Sequence, residues 1–168
     1  FDLLKKDYEQ LLEYDRNKLE GQEQLSYDIL AWFLKDQVEG MKYRHYGYSV
    51  TQRSGAYRRI INFMTSMHTV DDEGYAKDYL SRLAQIGTYL DNSLKHVERE
   101  KEHSALPPTF IVKKVIENLH NIRDPELADH VLVKDFNKKV DALTDIDDNK
   151  KAELKKEAER IVSEVVNP

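Results

Sequence analysis

The sequence contains no cysteine, which excludes disulfide bonds, thiolate-bound metals and cysteine nucleophiles. It also has no apolar run that approaches the ~20 residues of a membrane-spanning helix. Acidic residues outnumber basic ones by 31 to 26, so the net charge is −5 and a nucleic-acid partner is not favoured. These absences remove several kinds of site, but they do not say what the chain does.

Three catalytic motifs are missing as well. None of the six histidines is followed by glutamate, so the chain lacks the His-Glu start of a helix that binds zinc through two histidines four positions apart. There is no Gly-x-Ser-x-Gly nucleophile elbow and no P-loop. No catalytic residue and no metal ligand is therefore predicted in this segment.

Length and composition indicate a globular protein. The 168 residues correspond to one domain, or to part of one, at about 150 residues per domain. Apolar residues make up 40% of the chain, which is enough to form a core and excludes disorder of the whole chain.

Apolar residues recur at three- and four-residue spacing along nearly the whole chain, a pattern typical of amphipathic helices. This predicts an all-α fold of about seven helices, and short connections favour antiparallel neighbours. At most one short strand is expected, in the weakly alternating segment 41–52. The predicted helices cover residues 2–19, 26–40, 54–67, 71–103, 108–123, 132–143 and the segment from 145 onward.

A few residues predict where these helices begin and end. Gly21 and Gly40 are expected to end the first two helices. Ser26 is expected to cap the second helix and Asp145 the last. Gly87 lies within the longest predicted helix, where a glycine favours a close neighbour.

Two Glu-x-x-His pairs fit the spacing of metal ligands in carboxylate-bridged helical bundles, which leaves a metal-binding bundle as a weak third interpretation. One pair lies at a helix end and the other lies off the apolar face of its helix, so solvated surface residues are the favoured interpretation. Two further pairs at four-residue spacing are interpreted as helix caps or surface pairs. The four pairs are Glu100 with His103, Glu117 with His120, His68 with Asp72, and His96 with Glu100.

Charge is distributed unevenly. Residues 40–70 contain no Asp or Glu but five basic residues, so this basic aromatic segment has a net charge of +5 and the rest of the chain −10. On an irregular connector, its side chains could donate hydrogen bonds to a carboxylate or a peptide backbone. Alternatively, its tyrosines pack and its arginines pair with carboxylates of the acidic remainder. The candidate substrate-binding residues are Arg44, His45, Tyr46, Tyr48 and Gln52.

Several blocks of this sequence, in order and at consistent spacing, resemble the N-terminal half of a bacterial family known as domain of unknown function 885. The resemblance extends from about Leu25 to Leu119, and it becomes looser towards Pro168. The matching blocks are SYDILAWFLKDQVEGMKYRHYGYSVTQRSGA, NFMTSMHTV, YAKDYLSRLAQIGTYLD and LPPTFIVKKVIENL.

The resemblance implies an all-α protein similar to zinc metallopeptidases, with envelope lipoproteins among its relatives. The family's zinc motif begins His-Glu, continues to Pro-Gly-His-His, and lies downstream of the matched part. Residues 1–168 are therefore expected to be a single helical region, the N-terminal portion of a larger protein. Zinc is implied for the full-length family member and no cofactor for this segment.

These implications lead to one expected function and one alternative. The chain is expected to form a helical cleft wall of a zinc-dependent peptidase-like hydrolase, inactive alone, in the cell envelope or outside the cytoplasm. Its expected partners are the C-terminal half of its own chain and a peptide substrate, with no nucleic acid and no membrane span. The alternative is a non-enzymatic helical module that docks another protein.

Exposed apolar surface is also expected. The segment Tyr27–Leu34 is apolar nearly all round, which predicts burial on two sides. In a segment of a larger protein, however, helices that normally pack against the remainder expose apolar surface and promote self-association. The candidates for such surface are Trp32, Phe33, Leu34, Ile161 and Val162.

Overall fold

A computed structural model describes residues 2–167. Among these residues there are eight α-helices and no β-strand, so the predicted all-α fold is confirmed. Short 3-10 turns and two π-helical turns, Phe63–Met67 and Val162–Val166, extend or connect them. The helices are α1 Asp2–Leu12, α2 Gly21–Gly40, α3 Ala56–Asn62, α4 Glu73–Leu83, α5 Ile86–Glu102, α6 Thr109–Arg123, α7 Val131–Asp141 and α8 Asp148–Ile161.

None of the helices formed by residues 2–167 is both long and apolar enough to cross a bilayer.

The chain divides into two compact units, Phe1–Gly47 and Tyr48–Pro168. The first contains α1 and α2, and the second contains α3 to α8. That residues 1–168 belong to a longer protein stays a prediction.

The first unit is a pair of helices connected by a 3-10 turn, Arg16–Lys18. The predicted helix over residues 2–19 ends early, at Leu12, because Asp15 is extended and its side chain caps the 3-10 turn. Gly21 does not end a helix but begins α2, with φ at +52°, so Ser26 lies inside α2 rather than capping it. Gly40 ends α2 as predicted.

Helix α2 differs most from its sequence-based prediction. The apolar segment Tyr27–Leu34 is not buried on two sides, since Leu34 is the residue of α2 that is buried. Trp32 is 70% exposed and Phe33 is 47% exposed, so both form exposed apolar surface as expected. The same expectation is wrong for Leu34, which is buried. An ion pair between Arg16 and both carboxylate oxygens of Asp28 connects the 3-10 turn to α2.

The core of the second unit is formed by α4, α7, α8 and the start of α5. At its centre, the rings of Tyr79 and Phe136 stack with centroids 4.7 Å apart, and both side chains are fully buried. Ile161 and Val162 belong to this core, so the expectation that they form exposed surface is wrong. Burying each such aliphatic side chain contributes about 1.5–3 kcal/mol, which is why the C-terminal helix packs inward.

Helix boundaries in the second unit follow local capping. Asp72 caps α4 by accepting from the amide of Tyr75 at 2.9 Å, as expected. The long predicted helix is interrupted after Leu83, and α5 starts at Ile86. Asp147 caps α8 in place of the predicted Asp145, whose carboxylate accepts from the amide of Glu73.

The predicted close neighbour of Gly87 is present. A Cβ atom on Gly87 would lie 3.0 Å from the carbonyl oxygen of Val165. The glycine thus lets the first turn of α5 approach the backbone of the C-terminal π-helical turn.

Candidate functional site

The basic aromatic segment is shared between the two units. Arg44, His45 and Tyr46 follow α2 in the first unit, whereas Tyr48 and Gln52 lie in the second.

In the first unit, the residues after α2 form a turn that begins with the 3-10 segment Met41–Tyr43. The Nε of Arg44 donates to Nε2 of His45 at 2.8 Å. The rings of Tyr43 and Tyr46 meet edge to face, with centroids 6.4 Å apart, and both side chains are about 60% exposed. The side chains that the sequence singles out here lie next to one another on a solvent-accessible turn.

In the second unit, the segment between Tyr48 and Gly55, named here the anchor loop, is held by a buried carboxylate. Glu100 of α5 is 5% exposed, and its Oε1 accepts from the amide of Ser49 at 2.8 Å and from the Ser49 hydroxyl at 2.5 Å. The interpretation of Glu100 as a solvated surface residue is therefore wrong. A buried carboxylate needs such donors, because desolvation without them is costly.

The middle of the anchor loop is held through its carbonyl groups. The Tyr57 hydroxyl donates to the carbonyl of Thr51 at 3.2 Å. Arg58 donates to the carbonyl of Gln52 at 2.6 Å, and the Asn118 side chain of α6 donates to the same oxygen at 3.4 Å. An arginine of the basic aromatic segment thus binds a backbone carbonyl.

A tight turn closes the anchor loop. The amide of Thr51 donates to the carbonyl of Ser54 at 2.7 Å, and the Thr51 hydroxyl accepts from the amide of Ser54 at 3.0 Å. Gly55 follows with φ at +148°, and a Cβ there would lie 2.9 Å from Cγ2 of Val50. With both ends and the middle held, the loop presents its remaining groups in a fixed geometry.

A polar cavity of 280 Å³ lies against the anchor loop. Its lining comes from three elements: the loop itself, α3 through Arg59, and α5 through Ser93 and His96. Residues 93, 96 and 100 lie on one face of α5, so the face that holds the loop through Glu100 also lines the cavity. Sequence reasoning missed this polar stripe, although its three- and four-residue spacing could have revealed it. The lining residues are Tyr48, Ser49, Ser54, Arg59, Ser93 and His96.

A second cavity, of 310 Å³, lies between α3, α5 and α6 and is mainly apolar, with Ile60, Leu90 and Leu119 in its wall. It does not include the residues that the sequence singles out as substrate contacts. The polar cavity is lined by Tyr48, one of those residues, and is therefore the candidate site in this unit.

Two buried histidines lie away from the polar cavity. His68 stacks between the rings of Phe63 and Tyr79, and Arg82 donates to its Nε2 at 3.0 Å. Burial and the positive charges of Arg82 and Lys139 lower the pKa of His68. The interpretation of His68 as a cap or surface residue is wrong, because its ring is part of the aromatic core.

The other buried histidine, His130, caps α7. Its Nδ1 accepts from the amide of Leu132 at 3.3 Å, and burial lowers its pKa. Its Nε2 is buried and has no hydrogen-bond partner among the described residues. The surroundings of both histidines thus disfavour the protonated form.

The two Glu-x-x-His pairs do not form a ligand set. Glu100 is occupied by Ser49, and His120 pairs with Asp124 at 3.0 Å on the surface. Over residues 2–167, no three His, Asp or Glu side chains lie close enough to hold a metal ion. The zinc implied by the family resemblance needs at least three protein ligands, and the described residues do not fit it.

The comparisons with known proteins concern fold and family. No curated protein matches the chain. A solved structure described as "the putative lipoprotein from Colwellia psychrerythraea" matches with a TM-score of 0.70 and 22% identity. The match covers 72% of this chain and 21% of that one, so this chain spans about a fifth of the length of that protein. At this identity the likeness shows the fold alone.

A family model described as "bacterial protein of unknown function (DUF885)" matches residues 1–168, the whole chain. The resemblance noticed in the sequence blocks is therefore confirmed, and this protein belongs to the DUF885 family.

Proposed function

We propose that this chain forms one wall of a substrate cleft in a peptidase-like hydrolase whose catalytic centre lies outside these residues. The observation that supports this most directly is the anchor loop, held by the buried Glu100 beside a polar cavity. Hydrolases bind extended substrates with groups whose positions are set before the substrate arrives, since this reduces the entropy lost on binding.

The proposed contacts divide between the two units. Tyr48 and Gln52 belong to the anchor loop, where neighbouring backbone groups are already hydrogen-bonded within the protein. Arg44, His45 and Tyr46 are proposed contacts from the other unit, where they offer charged and hydrogen-bonding groups on one turn. Arginine and tyrosine suit this role because they donate hydrogen bonds to carboxylate and carbonyl oxygens.

Zinc chemistry is assigned to the remainder of the protein. When bound there, zinc would supply an activated water for hydrolysis. The residues of this chain would bind and orient the substrate, and no step of the reaction is assigned to them.

A location in the cell envelope or outside the cytoplasm is part of this proposal. A solved structure with a similar fold is described as a "putative lipoprotein", and that description supports the location for this protein too.

The competing function is a non-enzymatic module that docks another protein. It is favoured by the apolar residues of α2, among which Trp32 is 70% and Ile29 58% exposed. Exposed apolar patches of this kind often mark interaction surfaces.

Peptidase assays of the full-length protein, expressed from its complete open reading frame, separate the two functions. We expect the full-length protein to cleave peptides in a zinc-dependent manner and the 168-residue chain alone to be inactive. In the full-length protein, Glu100→Gln should release the anchor loop and raise KM more than it lowers kcat. Glu98→Gln, an exposed change on the same helix, serves as the control.

Absence of peptide cleavage by the zinc-loaded full-length protein would contradict the proposal. Cleavage by the short chain alone would contradict it as well. If Trp32→Gln abolished capture of a partner while no peptidase activity was found, the docking function would be supported instead.

A further inference from the structure

We infer that the polar cavity beside the anchor loop is a carboxylate-binding subsite in which Arg59 is the charged partner. This inference rests on the proposed function, and it specifies the substrate as a peptide that presents a free carboxylate next to the cleft wall.

The lining of the polar cavity consists of polar side chains. It contains one guanidinium, one imidazole and four hydroxyl groups, and none of the described residues that line it is Asp or Glu. The Ser49 hydroxyl already donates to Glu100, and the Ser54 hydroxyl is hydrogen-bonded to Thr51. The polar groups left in the lining are the guanidinium of Arg59, the imidazole of His96 and the hydroxyls of Tyr48 and Ser93. One positive charge among hydrogen-bonding groups is complementary to a single negative charge.

Arg59 differs from several other arginines of the chain in its ion-pair partners. Arg16, Arg123 and Arg160 each form an ion pair with a carboxylate of the chain. The guanidinium of Arg59, in contrast, has no hydrogen-bond or ion-pair partner among residues 2–167. It is therefore available to bind a carboxylate through two parallel hydrogen bonds, the geometry that guanidinium groups favour.

The side chains that line the polar cavity are carried by rigid elements. Arg59 lies on α3, Ser93 and His96 lie on α5, and Glu100 holds Ser49 of the loop against α5. Binding groups carried on helices and on a pinned loop keep their geometry better than groups on a free loop.

The polar cavity is small. A volume of 280 Å³ is just below the roughly 300–1,000 Å³ that is typical of ligand pockets. It suits one terminal residue or one acidic side chain of a longer substrate rather than a whole molecule. A singly charged carboxylate is favoured over a phosphate dianion, because the lining contains one permanent positive charge.

The experiment measures binding to the 168-residue chain by NMR titration. The probes are acetyl-dialanine with a free C-terminal carboxylate, the same peptide amidated, and an amidated acetyl-glutamyl-alanine. We expect the carboxylate probes to shift the resonances of His96 and of the Arg59 Nε–H, and the fully amidated peptide to leave them in place. Comparing the first and third probes distinguishes a C-terminal carboxylate from an acidic side chain.

Three variants make the test specific. Arg59→Ala should weaken carboxylate binding at least about tenfold, the loss expected for a charged hydrogen bond. Arg59→Lys should restore part of the binding, because the charge returns without the two-pronged geometry. Arg53→Ala removes an equal charge from the anchor loop outside the cavity lining, and it should leave binding unchanged.

Equal binding of the free and amidated peptides would overturn the inference. Equal weakening by Arg59→Ala and Arg53→Ala would also overturn it, as would tighter binding of inorganic phosphate than of the carboxylate probes. Because this test needs no catalysis, its result is separate from that of the proposed function. If the chain binds carboxylates but the full-length protein does not cleave peptides, the subsite is supported and the hydrolase function is rejected. If the full-length protein cleaves peptides but the chain does not bind carboxylates, only the subsite is rejected.

Discussion

Glu100 accepts hydrogen bonds from both the amide and the hydroxyl of Ser49, which lies 51 positions earlier in the chain. This contact fixes the start of the anchor loop against α5. Because the carboxylate is 5% exposed, its hydrogen bonds form away from competing water and are stronger than surface contacts.

Glu100→Gln should loosen the anchor loop. The substitution keeps the shape of the side chain but replaces charge-assisted hydrogen bonds with neutral ones, so we expect a loss of about 1–3 kcal/mol in the free energy of unfolding. Amide hydrogen exchange at Ser49 should accelerate in the same variant. Thermal or urea unfolding checks the energy, and equal stability of Glu100→Gln and the surface variant Glu98→Gln would contradict the prediction.

Stability should fall as the pH decreases from 7 to 5. The pKa values of His68 and His130 are lowered in the folded protein, so in this range the unfolded chain binds more protons than the folded one. The free energy of unfolding therefore begins to decrease as the pH falls through about 6.5, the ordinary histidine value. Urea unfolding at several pH values measures the slope.

The control for this pH effect separates histidines from carboxylates. The carboxyl groups of Asp28 and Glu157 have lowered pKa values, so their stabilising contributions are lost at a pH below about 4. His68→Gln combined with His130→Asn should flatten the slope between pH 7 and 5. An unchanged slope in the double variant would refute the assignment.

Lys139→Met should destabilise the second unit. The ammonium group of Lys139 donates to the carbonyl groups of Met64, Thr65 and His68, within and just after the Phe63–Met67 turn, at distances of 2.8–3.0 Å. It also pairs with Asp135 at 2.7 Å. Removing it leaves these partly buried acceptors unpaired, which costs about 3 kcal/mol in the free energy of unfolding. Denaturant unfolding measures this change. Lys138→Met, an exposed change one residue earlier on α7, should cost much less, and similar losses in both variants would count against this role.

Gly87→Ala should be destabilising although alanine is the better helix former. The new Cβ would meet the carbonyl oxygen of Val165 at 3.0 Å and Cγ1 of the same residue at 3.3 Å, so backbone would have to move. Overpacking of this kind costs about 1–3 kcal/mol. Gly40→Ala, where the Cβ would meet nothing within 4 Å, should be neutral or stabilising by up to about 1 kcal/mol. Thermal unfolding of the two variants tests the contrast, and a stabilised Gly87→Ala would exclude the close approach.

The helical class and much of the core could be predicted from the chain alone. The apolar stripe of Ala76, Tyr79, Leu80 and Leu83 is buried as its spacing indicates. The close neighbour of Gly87 was also predictable, because a glycine inside a helix has few other uses. Such features depend on local spacing, which the sequence contains in full.

The errors have a different origin. The sequence pattern predicts Glu100 and His68 to be surface residues, because charged and polar side chains are usually solvated. Both are buried because residues distant in sequence supply their partners: Ser49 for Glu100, and Tyr79 and Arg82 for His68. Local spacing contains no information about such partners.

By itself, then, the sequence determined the all-α class, the principal apolar faces and the family. The tertiary structure decided which polar groups meet: the loop segment around Ser49, the guanidinium of Arg59 and the stripe of α5 come together at one cavity. The physical reason is that helix formation follows from interactions three or four residues apart, whereas a binding cavity depends on contacts between distant segments that form only when the core packs.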